Sequence, residues 1–131
     1  MKELSDTPEW KYAKIFERQI DIMKGIIVVF DITNYNSYKV AKDWIDFVKE
    51  KRLDNTYSII LCGNKSDLSQ KRVVSVDELL EYSNGIKAAY YEISLKTRNN
   101  LNEMKTYILN KFPLDHQFKK EVPKSYSCYI I

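Results

Sequence analysis

Asn64-Lys65-Ser66-Asp67 is the stretch whose side-chain types and spacing carry the most chemistry. It follows an apolar run from Ser58 to Cys62 and a break at Gly63. Such a run predicts a strand buried on both faces. Buried strands of open α/β sheets deliver functional side chains at their C-terminal ends. A carboxylate there, Asp67, can accept two parallel hydrogen bonds from the ring N–H and exocyclic amine of guanine, a donor pair that adenine lacks. The Asn64 amide can satisfy the ring acceptor edge and tie the loop together. The Lys65 stem can lie across a base. The plainer alternative is a polar turn in which Asp67 caps a local backbone group.

The elements that must position these residues are legible from periodicity. Tyr12, Phe16, Ile20 and Met23 fall at helical spacing between Trp10 and Lys24, with Asp6 or Thr7 as cap, Pro8 in the first turn and Gly25 as the stop. Gly25 to Phe30 is a β-branched run and predicts a second buried strand, leaving through the polar Asp31-Ile32-Thr33-Asn34. Ser37 is the expected cap of a helix reaching Lys51, with Tyr38, Ala41, Trp44, Ile45 and Val48 inward. Ser75 and Glu78 have capping-box form ahead of a short helix that buries Leu79 and Leu80 and ends near Asn84-Gly85. Ala88 to Ile93 reads as a third strand, leaving through Ser94-Leu95-Lys96-Thr97. Asn100 is the expected cap of a last helix with Leu101, Met104, Ile108 and Phe112 inward, ended by Pro113. Helices alternating with strands predict an α/β fold, a parallel sheet with right-handed crossovers.

With 131 residues the chain has room for one domain and one sizeable core. A net charge of +3 is too mild to point to nucleic acid. No apolar run approaches the ~20 residues of a membrane span, and the N-terminus has no signal-peptide pattern. The two cysteines, Cys62 and Cys128, form no disulfide framework, which fits a reducing, cytoplasmic setting.

With this layout in place, residues 6–112 resemble the C-terminal two-thirds of a Ras-superfamily small GTPase of the Rab family. Gly25 to Asn34, Ser37-Tyr38 and Trp44-Ile45 resemble the strand and helix after the second switch. Asn64-Lys65-Ser66-Asp67 matches the guanine-reading motif, Arg72-Val73-Val74-Ser75 matches the approach to the next helix, and Glu92-Ile93-Ser94-Leu95-Lys96-Thr97 resembles the second base-binding loop. The resemblance implies a P-loop NTPase-type G-domain lacking its first strand and P-loop, over residues 1–113, with a flexible tail over 114–131. It implies that GTP or GDP is the ligand. Asp67 would read the base, Asn64 would reach its N7 and brace the loop, and the stems of Lys65 and Lys96 would sandwich it. Ser94 would orient Asp67, and the backbone N–H of Leu95 would meet the guanine oxygen. Leu95 stands where the family usually has Ala.

The departures lie on the phosphate side. No Gly-x-x-x-x-Gly-Lys-[Ser/Thr] occurs among these residues, so no loop of backbone N–H groups, phosphate lysine or Mg²⁺ hydroxyl is assigned. Asp6-Thr7-Pro8-Glu9-Trp10 stands where the family has Asp-Thr-Ala-Gly-Gln, and no catalytic residue is assigned. Base contacts alone correspond to a dissociation constant near millimolar, about −4 kcal/mol. In the family the missing first strand lies beside Ile26–Phe30. The resemblance therefore implies an apolar, unpaired edge there, covered by a second copy or by the missing N-terminal part.

The ending Cys128-Tyr129-Ile130-Ile131 has the C-a-a-X form of a prenylation signal, and Lys119, Lys120 and Lys124 add attraction to anionic lipid. The expectation is a Rab-like protein on the cytosolic face of membranes, controlling vesicle traffic through effector and regulator proteins. The alternative is a non-catalytic pseudo-GTPase module that binds partners through its surviving helices.

Overall fold

In the computed structural model, residues 22–111 and the strand at 128–130 are described. The helix expected from Trp10, the Asp6-Thr7 pair, Phe112, Pro113 and the tail lysines lie outside the described residues.

The elements are β1 (Gly25–Asp31), α1 (Tyr35–Lys51), β2 (Ser58–Asn64), a 3₁₀ helix (Ser66–Lys71), α2 (Val76–Gly85), β3 (Ala89–Glu92), α3 (Leu101–Lys111) and β4 (Cys128–Ile130). The strands form one sheet in the order β3-β2-β1-β4, with every neighbouring pair parallel. β1 and β2 run in register from Gly25–Ser58 to Asp31–Asn64. This register sets the polar exits of the two strands side by side.

Both faces of the sheet are covered, as their apolar runs require. Ile26, Val28, Phe30, Ile59 and Leu61 pack with Tyr38, Ala41, Ile45 and Val48 of α1 and Leu79 of α2. On the other face Ile27, Ile60 and Cys62 pack with Ile93 and Met104, the latter from α3. The strand period of two and the helix period of 3.6 together produce this split.

Several local expectations change. α1 starts at Tyr35, and its cap is Asn34, whose Oδ1 accepts the Ser37 N–H at 3.1 Å. Ser37 sits inside the first turn, where its hydroxyl accepts from the Asp31 N–H (3.0 Å) and donates to the Asn34 carbonyl (2.7 Å). Asn34 already has the extended backbone a cap needs, so Ser37 is free to bind back to β1. Ser75 does cap α2, accepting from the Glu78 N–H at 3.1 Å. Within α2, Leu79 is fully buried but Leu80 is 44% exposed, because one step around a helix turns a side chain about 100° away. Asn100 adopts a left-handed φ of 62°, and its side-chain amide donates to the Glu92 carbonyl (2.9 Å), bracing the turn ahead of α3.

The edge of β1 is not bare along its whole length. β4 pairs with it in parallel, setting Cys128 against Gly25, Tyr129 against Ile26 and Ile130 against Ile27. The chain's own C-terminal segment lies beside the first half of β1, where another copy or a missing strand was expected.

Candidate functional site

The site is built where β2 and β3 end. The β2 ladder carries through Asn64, and Lys65 then turns sharply, with φ 67° and ψ 36°. That left-handed turn starts the 3₁₀ helix and places Asp67 in its first turn. Backbone bonds join this loop to its neighbours. The Ser66 N–H donates to the Ile93 carbonyl (3.1 Å), the Ile93 N–H to the Gly63 carbonyl (2.8 Å), and the Ile32 N–H to the Asn64 carbonyl (3.2 Å).

Two side-chain bonds bring the two loops together. The Ser94 hydroxyl donates to Oδ1 of Asp67 at 2.7 Å. Oδ1 of Asn64 accepts the Leu95 N–H at 3.1 Å. Ser94 is fully buried, and its oxygen also accepts the Thr97 N–H at 3.1 Å. One hydroxyl therefore fixes both the turn it belongs to and the carboxylate opposite.

Asp67 itself is exposed, as are Leu95 and Lys96 in the facing turn. The Leu95 side chain is 55% exposed, so its bulk in place of a smaller residue is accommodated toward solvent. The Leu95 N–H, expected to meet a base oxygen, is engaged by Asn64. Lys65 turns its ammonium onto Asp31, with Nζ 2.7 Å from Oδ2.

Asp31 and Thr33 are the residues that sequence reasoning missed. Oδ1 of Asp31 accepts from both the Thr33 N–H (2.8 Å) and the Thr33 hydroxyl (2.6 Å). Partial burial pushes the Asp31 carboxyl up, but the Lys65 and Thr33 hydrogen bonds together outweigh it and hold the carboxyl below its ordinary range. The register sets Asp31 and Asn64 side by side at the ends of two parallel strands, which brings Asp31 within reach of Lys65.

Behind the site, Arg72 spans from the 3₁₀ helix to β3. Its guanidinium pairs with Glu92 and donates to the Val74 carbonyl (3.0 Å), while the Tyr90 hydroxyl donates to the other Glu92 oxygen. The Glu92 hydrogen bond raises the Arg72 pKa. Burial first, then Glu92, pushes the Tyr90 phenol up. Gly63 leaves room for this cluster, since a Cβ there would stand 2.9 Å from Ile32 Cγ2 and 3.0 Å from the Tyr90 oxygen.

The Ras family model matches residues 4–113, most of the chain. The chain belongs to the Ras family. As a Ras-family domain it is an α/β, small-GTPase-type nucleotide-binding domain, with guanine nucleotides as ligands and effector or regulator proteins as partners in general. The donor and acceptor set found in this Ras-family chain fits the base end of such a ligand: an exposed carboxylate held by a buried hydroxyl, beside an amide. Among the described residues, no group of three or more His, Cys, Asp or Glu is placed to hold a metal ion.

Proposed function

We propose that this Ras-family chain is Rab-like and recognises guanine through the paired loops at Asn64–Asp67 and Ser94–Lys96. The observation that supports this reading is the Ser94–Asp67 hydrogen bond of 2.7 Å. It holds a carboxylate by one oxygen while leaving the residue exposed at the end of a buried strand. Charge-assisted hydrogen bonds from the base to that carboxylate are worth roughly 1.5–3 kcal/mol each. Asn64 locks the second loop, and the Lys65 and Lys96 stems flank the base.

In this reading the nucleotide state governs docking of effector and regulator proteins in membrane traffic. Phosphoryl transfer depends on positioning and charge stabilisation of the phosphates. Hydrolysis therefore requires phosphate-binding parts beyond those assigned in these 131 residues. Lipidation of Cys128 would hold the protein at the cytosolic face of a membrane, with Lys119, Lys120 and Lys124 adding attraction to anionic lipid. Because residues 128–130 pair with β1, lipid transfer to Cys128 requires that strand to undock.

The second reading is a non-catalytic interaction module that binds partners through its helices. Titration of GTP, GDP and ATP by calorimetry, with and without Mg²⁺, separates the two. The nucleotide reading predicts guanine-selective binding near millimolar for these residues alone, and tighter, Mg²⁺-responsive binding once a phosphate-binding segment is supplied. Equal or absent binding of all three nucleotides in every arm supports the module.

A further inference from the structure

We propose that Asp31 is a positioning residue of the base site, holding the Lys65 ammonium so that the Lys65 stem is a fixed platform for one face of a purine. This inference rests on the base-recognition reading above and assigns Asp31 a part in it.

Both ends of the Lys65 side chain are tied down. At the backbone end, Lys65 is left-handed, with φ 67° and ψ 36°, and its carbonyl accepts the Leu68 N–H at 2.8 Å. At the far end, Nζ lies 2.7 Å from Oδ2 of Asp31. The carboxylate that receives it is itself held. Its other oxygen, Oδ1, accepts the Thr33 N–H at 2.8 Å and the Thr33 hydroxyl at 2.6 Å. The Asn34 N–H closes the turn on the Asp31 carbonyl (3.0 Å), and the Asp31 N–H donates to the Ser37 hydroxyl in the first turn of α1 (3.0 Å). The Ile32 N–H donates to the Asn64 carbonyl at 3.2 Å, which ties the exit of β1 to the exit of β2.

The difference in exposure between the partners shows what the clamp does. The Asp31 side chain is 21% exposed and that of Lys65 is 49% exposed. An ion pair this open to water adds little to the stability of a fold. It does restrict the lysine. A free lysine has a flexible four-carbon stem, and a base laid against it must order that stem on binding. Asp31 orders the stem beforehand, while half of the side chain stays open to a ligand. The methylenes offer an apolar surface to the face of any purine. That contact adds affinity without choosing between guanine and adenine, and the choice stays with Asp67. Asp31 therefore acts through Lys65, and on affinity alone.

The test uses the full chain. Asp31→Asn keeps the shape of the side chain and its acceptor for Thr33, and removes the charge that holds Lys65. In NMR titrations it should bind GDP about threefold or more weakly, with the preference for GDP over ADP, read by competition, unchanged. Lys65→Met keeps an apolar stem and loses the ammonium. In that background Asp31→Asn should leave GDP affinity unchanged, because the two residues act through one contact. A merely structural role would weaken binding equally in both backgrounds. Relaxation of the Lys65 ε-methylene in the ligand-free chain is the second readout, and it should be restricted in the unmodified chain and mobile in Asp31→Asn. Unchanged GDP affinity in Asp31→Asn, equal losses in the two backgrounds, or a mobile Lys65 in the unmodified chain overturns the proposal. The last result stands even if a variant fails to fold. If the unmodified chain shows no preference for GDP, the base-recognition reading falls and takes this proposal with it. If it prefers GDP and Asp31→Asn binds equally well, this proposal alone falls.

Discussion

The Ser94 hydroxyl and the Asp67 carboxylate, 27 residues apart in the chain, meet at 2.7 Å and join the exits of two parallel strands, β2 and β3. Ser94 is fully buried while Asp67 is exposed. The rigid interior thus holds a charged group at the surface in one orientation. Pre-organisation of this kind lets a weakly held ligand be read selectively, because the carboxylate loses little freedom on binding.

Removing either partner should cost selectivity by different routes. Asp67→Ala should abolish preference for guanine over adenine nucleotides. Ser94→Ala should reduce it at least about tenfold, since a hydrogen bond to a charged group is worth roughly 1.5–3 kcal/mol. Competition titrations of GDP against ADP measure both, and an unchanged ratio in Asp67→Ala would remove that residue from the site.

The Asp31–Lys65 pair should stabilise the loop modestly and with a defined pH dependence. The pair is partly exposed, so its worth at neutral pH is about 0–1 kcal/mol. The Asp31 pKa is lowered from 3.8, because the Lys65 and Thr33 hydrogen bonds outweigh the effect of burial. A depressed folded pKa means the stabilisation is present above the unfolded value of 3.8 and is lost as pH falls through the folded value. Urea denaturation should therefore separate the wild type from Asp31→Asn at pH 7, with the two curves converging below pH 3.8. A gap that widens toward acid would contradict the sign.

Gly63→Ala should destabilise the fold by about 1–3 kcal/mol through overpacking. The added methyl meets Ile32 Cγ2 at 2.9 Å, the Tyr90 oxygen at 3.0 Å and Phe30 Cζ at 3.2 Å. Thermal unfolding measures the loss. An unchanged midpoint would mean that Ile32 and Tyr90 move aside without cost.

The Cys62 thiol should stay inert until the domain opens. Burial pushes its pKa from 9.0 up to about 12. The folded state therefore favours the neutral thiol, and its contribution to stability is full below pH 9 and lost as pH rises toward 12. Alkylation at pH 8 should be slow in buffer and fast in denaturant. Rapid alkylation of Cys62 in the native protein would show that the sheet face over α3 is open.

What pattern alone reveals is the part governed by short-range physics. The apolar runs at Gly25–Phe30 and Ser58–Cys62 announce buried strands, and the polar residues at their exits lie side by side in the sheet. Ser75 is legible as a cap because the capping box is a local hydrogen-bond exchange. The Asn34 cap was harder to choose, because Asn34 and Ser37 are both good capping residues and only the backbone at Asn34 decides between them. Leu80 misleads because it lies about 100° around the helix from the buried Leu79, which turns it toward solvent. The Asp31–Lys65 pair and the β4–β1 ladder stay hidden for another reason. Both are long-range contacts set by strand register, and nothing local to Asp31 or to Cys128–Ile130 encodes its partner.

The central claim is that two strand exits form the purine-reading half of a nucleotide site. The most direct measurement is ¹H–¹⁵N NMR of the full chain during titration with GDP and, separately, with ADP. GDP should shift the backbone amides of Asp67, Leu95 and Lys96 together, saturating near millimolar, while ADP leaves them in place. Equal shifts with the two nucleotides, or GDP shifts confined to residues away from both loops, would contradict the account.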